Sequence, residues 1–188
     1  LRGMKKNTVI LIIMALAVIA GIFFIFQRSA NHKNLIQNFK QGNMKLTSPA
    51  FEPNQSLPAQ YTCGGKNVNP PLAISGVPAG AKGLALLVDD PDSPGGDFVH
   101  WLVWNISPDT REIAENSAPN GASVGLNDFG RSTYDGPCPP SGVHRYNFKL
   151  YALSDNLVLD ENTDKNKFKE ALGDRVMEQA VLTGLYKR

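Results

Sequence analysis

Val143-His144-Arg145-Tyr146-Asn147-Phe148-Lys149-Leu150 decides the fold. His144, Tyr146, Phe148 and Leu150 alternate with Arg145, Asn147 and Lys149. Successive side chains of a strand point to opposite faces, so the first four share the core face. Just upstream, Gly136-Pro137-Cys138-Pro139-Pro140 reads as a loop whose shape the prolines fix. A second such unit lies earlier. Leu84-Ala85-Leu86-Leu87-Val88 is too short for a typical helix and fits a buried strand. The turn Asp89-Asp90-Pro91-Asp92-Ser93-Pro94 ends it. In a third strand, His100, Leu102, Trp104 and Ile106 alternate with Trp101, Val103 and Asn105. Carboxylates and imidazoles therefore gather at strand ends above an apolar floor, as in a rigid pocket for a small polar or anionic ligand.

Each residue alone has a plainer reading. Asp90 and Asp92 around Pro91 serve equally well as turn formers that bond local backbone N–H groups. A lone His100 is more often a satisfied core histidine, and a lone Tyr146 or tryptophan is core. One pocket, however, accounts for all of them at once.

Asp-Pro-Asp-x-Pro followed by a histidine, and then Gly-x-His-Arg-Tyr, resemble the two signature motifs of the phosphatidylethanolamine-binding proteins, also called Raf-kinase-inhibitor-like proteins. Tyr61-Thr62-Cys63-Gly64-Gly65, Asn69-Pro70-Pro71-Leu72, Gly136-Pro137-Cys138-Pro139-Pro140 and the ending Leu182-Thr183-Gly184-Leu185-Tyr186 are similar to the bacterial, YbhB/YbcL-like branch. The resemblance spans about Lys45 to Arg188. It implies a mainly β domain, an antiparallel β-sandwich with a few peripheral helices. It also implies a pocket for phosphate-like anions and lipid headgroups, lined by Asp90, Pro94, His100, Pro140, His144 and Tyr146. Asp92 belongs to the same loop, with a mainly structural role. In such a pocket His144, His100 and Tyr146 are expected to donate to the anion, and Asp90 to accept from an imidazole. The Pro140–His144 connection is short, as in bacterial members, so Raf binding does not carry over.

Six basic residues and no acid precede Lys45, so 13 basic residues face 17 acidic ones from Lys45 onward. A net-acidic domain without a basic cluster argues against nucleic-acid binding. Val9 to Phe26 is apolar throughout and follows Lys5-Lys6. As a helix it spans about 27 Å, close to the hydrocarbon core of a bilayer. It exceeds a signal-peptide core, and Arg28-Ser29-Ala30 is a poor cleavage site. The expected organisation is an uncleaved N-terminal membrane anchor (1–26, spanning through residues 9–26), a polar linker (27–44) and one folded domain (45–188) outside the cytoplasm. Cys63 and Cys138 read either as two separate buried thiols or as a disulfide, which export favours.

Short strands are expected near Leu57–Tyr61 and Leu72–Ile74, and a long loop from Asp109 to Asp135. Thr163 or Asp164 is expected to cap a helix stopped by Gly173, and a second helix to follow from Asp174 to about Val181. Three function classes remain. The first is a non-catalytic binder of a small phosphorylated or carboxylated ligand or a lipid headgroup. The second is an inhibitor or regulator of a protease or kinase. The third is a hydrolase. Ser93 has no base partner, Ser141 lies in no nucleophile elbow, and neither His-x-x-x-His nor Cys-x-x-Cys occurs. Binding without catalysis, metal or cofactor is the expectation.

In cells expressing the full chain, the protein is expected in the membrane fraction, with the domain digested by protease added to spheroplasts. A soluble product beginning beyond Ala30, or a protected domain, would contradict this.

Overall fold

The computed structural model describes residues 42–188. The expected span at 9–26 and residues 27–41 of the expected linker lie outside them. Among the described residues no helix is long and apolar enough to cross a membrane.

The elements in chain order are β1 (Lys45–Thr47), β2 (Leu72–Ser75), β3 (Gly83–Asp90), β4 (Phe98–Ile106), β5 (Glu112–Ile113), β6 (Ser123–Val124), β7 (Val143–Leu153), α1 (Lys165–Leu172) and β8 (Val176–Lys187). They form two sheets with antiparallel pairing, β1-β2-β5 and β6-β4-β3-β7-β8. The fold is mainly β, as expected, with one short α-helix among the described residues.

β3 sits at the centre of the larger sheet, and all eight of its residues are buried. Leu84, Leu86 and Val88 join the core that the two sheets share, together with Leu72, Ile74, Trp101, Phe148 and Leu182. Ala85 and Leu87 face the other way, into a smaller cluster with Leu102, Trp104, Phe168 and Leu172 beneath α1. A strand covered on both faces has no solvent side, so its sequence runs continuously apolar rather than alternating. Asp164 caps α1 by accepting from the N–H groups of Asn166 and Lys167, and Gly173 ends it, as the sequence predicts.

Three expectations fail for local reasons. Leu57–Tyr61 is not a strand. Leu57 packs in the core, and Ala59–Tyr61 is a single 3-10 turn. The expected second helix is the 3-10 turn Gly173–Arg175 followed by β8, which pairs with β7 along nearly its whole length. Val176-Met177-Glu178-Gln179-Ala180-Val181 suits a helix by residue type. The long partner strand and the burial of Glu178, Ala180 and Leu182 at period two override that preference. The third failure is in β4, where regular alternation breaks at two bulges. Val88 pairs with Trp101 but Asp89 with Val99, which leaves His100 as an extra residue. At the other end Asn105 takes φ 56°, a left-handed conformation that asparagine tolerates, and its side chain bonds the backbone of Leu157 in both directions. Between the bulges Trp101 and Val103 face the inter-sheet core, while Leu102 and Trp104 face α1.

Cys63 and Cys138 form a disulfide, with Cα atoms 5.4 Å apart. It closes a loop of 75 residues. Replacing both cysteines by serine is expected to lower stability by about 4 kcal/mol, read as a lower urea midpoint with a slope that does not fall, since the uncrosslinked chain unfolds to a more open state. A midpoint within error of wild type would show that the bridge adds nothing.

Candidate functional site

The acidic end of β3 and the start of β7 lie side by side. Period two puts Asp90 on the inter-sheet face with Leu84, Leu86 and Val88. His144 and Tyr146 occupy the same face as Phe148. Asp90 Oδ2 accepts from His144 Nδ1 at 2.7 Å, and its Oδ1 accepts from the Asp92 N–H at 2.9 Å. Both partners of this hydrogen bond are buried. His144 Nδ1 must carry a proton to bond a carboxylate, so its Nε2 is the nitrogen left for other partners. The Asp90–imidazole bond is the one expected from the sequence.

Tyr146 is fully buried, and its hydroxyl has no hydrogen-bond partner. It lies against the Asp90 carboxylate and the Cys138 backbone, but meets neither at good hydrogen-bond geometry. Burial, and then the Asp90 charge, raise its pKa, so the hydroxyl keeps its proton. The His100 ring stands edge-on to that of Tyr146 at 5.3 Å between centroids. The bulge at His100 brings that ring onto this face.

His100 differs from expectation in its polarity. Its Nδ1 lies 2.6 Å from the carbonyl oxygen of Asp135, and the Asp135 N–H donates to the carbonyl of His100 at 3.1 Å. A carbonyl can only accept, so Nδ1 carries the hydrogen, and Nε2 of the neutral ring is an acceptor. Burial pushes the pKa of His100 down, against the opposing pull of Asp135, Asp90 and Asp89.

Asp92 and Arg145 form a two-pronged pair at the rim. Arg145 Nε and Nη2 donate to the carboxylate at 2.9 and 2.6 Å, and the Arg145 N–H adds a third bond. The Asp92 carboxyl is held down to about 2 by these bonds. Asp92 thus braces the loop, as its expected structural role requires. Pro94 and Pro140 are exposed.

The loop Asn127–Asp135 contributes residues that the sequence did not single out. Arg131 donates through Nε and Nη2 to the Asp135 carboxylate, and Asn127 Nδ2 bonds the same group at 2.6 Å. Asn127 Oδ1 accepts from the N–H groups of Phe129 and Arg131. Phe98 and Phe129 flank the His100 ring at 5.3 and 5.8 Å. Asp135 touches His100 through its backbone, which leaves no mark on residue type. The Asn127-Asp128-Phe129-Gly130 turn was the one visible signal. Next along the chain, Gly136 presses on the Tyr61 carbonyl, where a Cβ would approach to 2.3 Å. The Gly136 N–H bonds Asn67 Oδ1, the Cys63 N–H bonds the Pro137 carbonyl, and the disulfide completes the attachment.

Two clefts lie elsewhere. One of about 600 Å³ runs between Thr47–Pro53, Pro71–Ala73 and Arg111–Glu112, and one of about 140 Å³ surrounds Asn69 and Trp101. Neither is lined by Asp90, His100, His144 or Tyr146. The cluster joins a buried Asp–His pair to an unpartnered buried hydroxyl, the combination that marks a candidate site more directly than either cleft. Among the described residues no three His, Cys, Asp or Glu side chains stand close enough to share a metal ion.

A family profile described as phosphatidylethanolamine-binding protein matches residues 47–187. A UPF0098 protein of Methanothermobacter thermautotrophicus is 46% identical over 150 residues, covering 77% of this chain and 99% of its own. A UPF0098 protein of Aquifex aeolicus is 40% identical over 167 residues, 82% of this chain and 98% of its own. Among solved structures, a putative phosphatidylethanolamine-binding protein homologue from Chlamydia trachomatis superposes with a TM-score of 0.75 at 39% identity, covering 79% of this chain and 99% of that one. Escherichia coli YbcL, described as a member of the mammalian family, gives 0.74 at 31% identity, covering 78% and 99%.

A carboxyl held below its unfolded value stabilises the fold above the unfolded pKa, and that contribution is lost as pH falls through the folded one. For Asp92 the window runs from about 4 down to about 2. In Arg145→Ala the Asp92 side-chain carbon, followed by NMR, is expected to titrate above about 2 and toward the ordinary value of about 3.9, without reaching it, because the N–H of residue 145 still bonds the carboxylate. An unmoved midpoint would mean that Arg145 does not hold it.

Proposed function

Because the chain belongs to the phosphatidylethanolamine-binding protein family, we propose that its domain binds a small phosphorylated or carboxylated ligand, or a lipid headgroup, and releases it unchanged. The observation that carries this reading is the buried Asp90–His144 pair beside the unpartnered hydroxyl of Tyr146. Asp90 takes the Nδ1 hydrogen of His144, and the imidazole, when protonated, presents its Nε2–H to an anion. Tyr146 supplies a second donor whose proton does not leave. Charge-assisted bonds of this kind contribute about 1.5–3 kcal/mol each. A few of them, less the cost of association, give affinities of roughly micromolar to millimolar. The disulfide removes both cysteines as nucleophiles, and the cluster is suited to holding an anion rather than attacking one.

The domain works outside the cytoplasm, tethered through residues 9–26. The apolar run and the oxidised cysteine pair support that placement. A second reading, regulation of a partner protease or kinase, draws support from Phe129. Its ring is 46% exposed beside the His100 cluster, with the Arg131 guanidinium 5.3 Å from its centroid.

Calorimetry with inorganic phosphate and phosphorylethanolamine tests the binding reading. Wild type is expected to bind both, and His144→Ala to bind about 10- to 100-fold more weakly. Equal binding by the variant would remove the site from the cluster, and steady release of a product would make the protein an enzyme.

A further inference from the structure

We propose that the Cys63–Cys138 disulfide is a directed exchange site for a small thiol: the incoming thiolate takes Cys63, Cys138 leaves beside Arg188, and the chain next to Tyr146 comes free. The exchange is independent of whether the cluster binds an anion, and it touches that site only through Tyr146.

The two sulfurs are unequal in access. Cys63 is exposed, in the turn Cys63–Lys66, where the two residues that follow it are glycines with no side chain to shield it. Cys138 is half-buried between Pro137 and Pro139, both of them buried. They are unequal as leaving groups as well. Arg188 Nη1 lies 3.9 Å from Cys138 Sγ, and among the described residues no charged group bonds Cys63 Sγ. A guanidinium beside a departing sulfur stabilises the thiolate. Exchange is fastest where the attacked sulfur is open and the departing one is the better thiolate. Both conditions select attack at Cys63.

The step balances without an oxidant. A bond forms between the incoming sulfur and Cys63 Sγ as the Cys63–Cys138 bond breaks. The electron pair leaves on Cys138 Sγ, which takes a proton from water. One disulfide replaces another. With a dithiol, the second thiol displaces Cys63 in turn, so the protein disulfide is reduced and the dithiol is oxidised to a ring.

The disulfide is also what holds this stretch of chain. The Gly136 N–H bonds Asn67 Oδ1 and the Pro137 carbonyl accepts from Cys63 N–H, but both bonds come before Cys138. The next pairing is Val143 with Lys187, where β7 begins. Among the described residues no backbone group from Cys138 to Gly142 makes a well-formed hydrogen bond. The Cys138 backbone borders the hydroxyl of Tyr146. Opening the disulfide therefore removes the one covalent anchor of the segment against which that hydroxyl lies.

Mass spectrometry of the folded, unreduced protein tests the direction. After a short pulse of glutathione and capture with N-ethylmaleimide, glutathione is expected on Cys63 and the maleimide on Cys138. Opening by dithiothreitol, followed as free thiol, is expected to be about 2- to 5-fold slower in Arg188→Gln, the worth of one exposed charge contact. In the protein reduced by dithiothreitol, the NMR order parameters of the Cys138, Ser141 and Gly142 N–H groups are expected to fall below about 0.6 while those of β3 stay near about 0.85. Glutathione found equally on Cys138, a disulfide that dithiothreitol leaves closed in the folded protein, an unchanged rate in Arg188→Gln, or order parameters that do not move would each overturn the proposal.

Discussion

The burial of β3 on both faces is the constraint from which the rest of the domain follows. A strand with no solvent side can end in acids only if each acid finds a partner inside. Asp89 and Asp90 are adjacent, so they point to opposite faces, and β7 serves both. On the α1 side Lys149 pairs with Asp89, whose carboxyl burial pushes up even so. On the inter-sheet side His144 pairs with Asp90. One of these pairs is a lysine held against a fully enclosed carboxylate. The other is an imidazole with a second nitrogen to spare. The same local problem, solved by two residue types, yields a brace on one face and a candidate binding group on the other.

The second requirement is that the loops above this strand end hold their shape. Asp92 and Arg145 join the β3 turn to the start of β7. Asn127, Arg131 and Asp135 make the long loop one bonded unit around His100. The disulfide and Asn67 press Gly136–Cys138 onto the segment that carries Cys63. None of these attachments belongs to a sheet, and all of them converge on the four residues of the cluster.

Much of this was legible in the sequence because it depends on local pattern. The continuous apolar run of β3, the alternation of β7 and the capped helix at Asp164 each follow from residue type at a fixed period. That Asp90 accepts from an imidazole was legible because polar groups at the ends of neighbouring strands have few other places to go; that the imidazole is His144 rather than His100 is seen only in the structure. What stayed hidden depends on the partner rather than on the residue. β8 reads as a helix until β7 is known to lie beside it. Asp135 acts through a carbonyl that every residue possesses. The bulge at His100 in β4 is visible only once Asp89 and Val99 are seen to pair, and without it His100 falls on the wrong face.

That bulge separates what the sheet needs from what the site needs. His100 is supernumerary to the hydrogen-bond ladder: Val88 and Asp89 are consecutive, and their partners Trp101 and Val99 skip it. The sheet could close without it, and more regularly. A residue that pairing does not require is free to be chosen for its side chain alone. The architecture has therefore set aside one position, next to its most deeply enclosed strand, at which chemistry can be changed without disturbing the register of any neighbour.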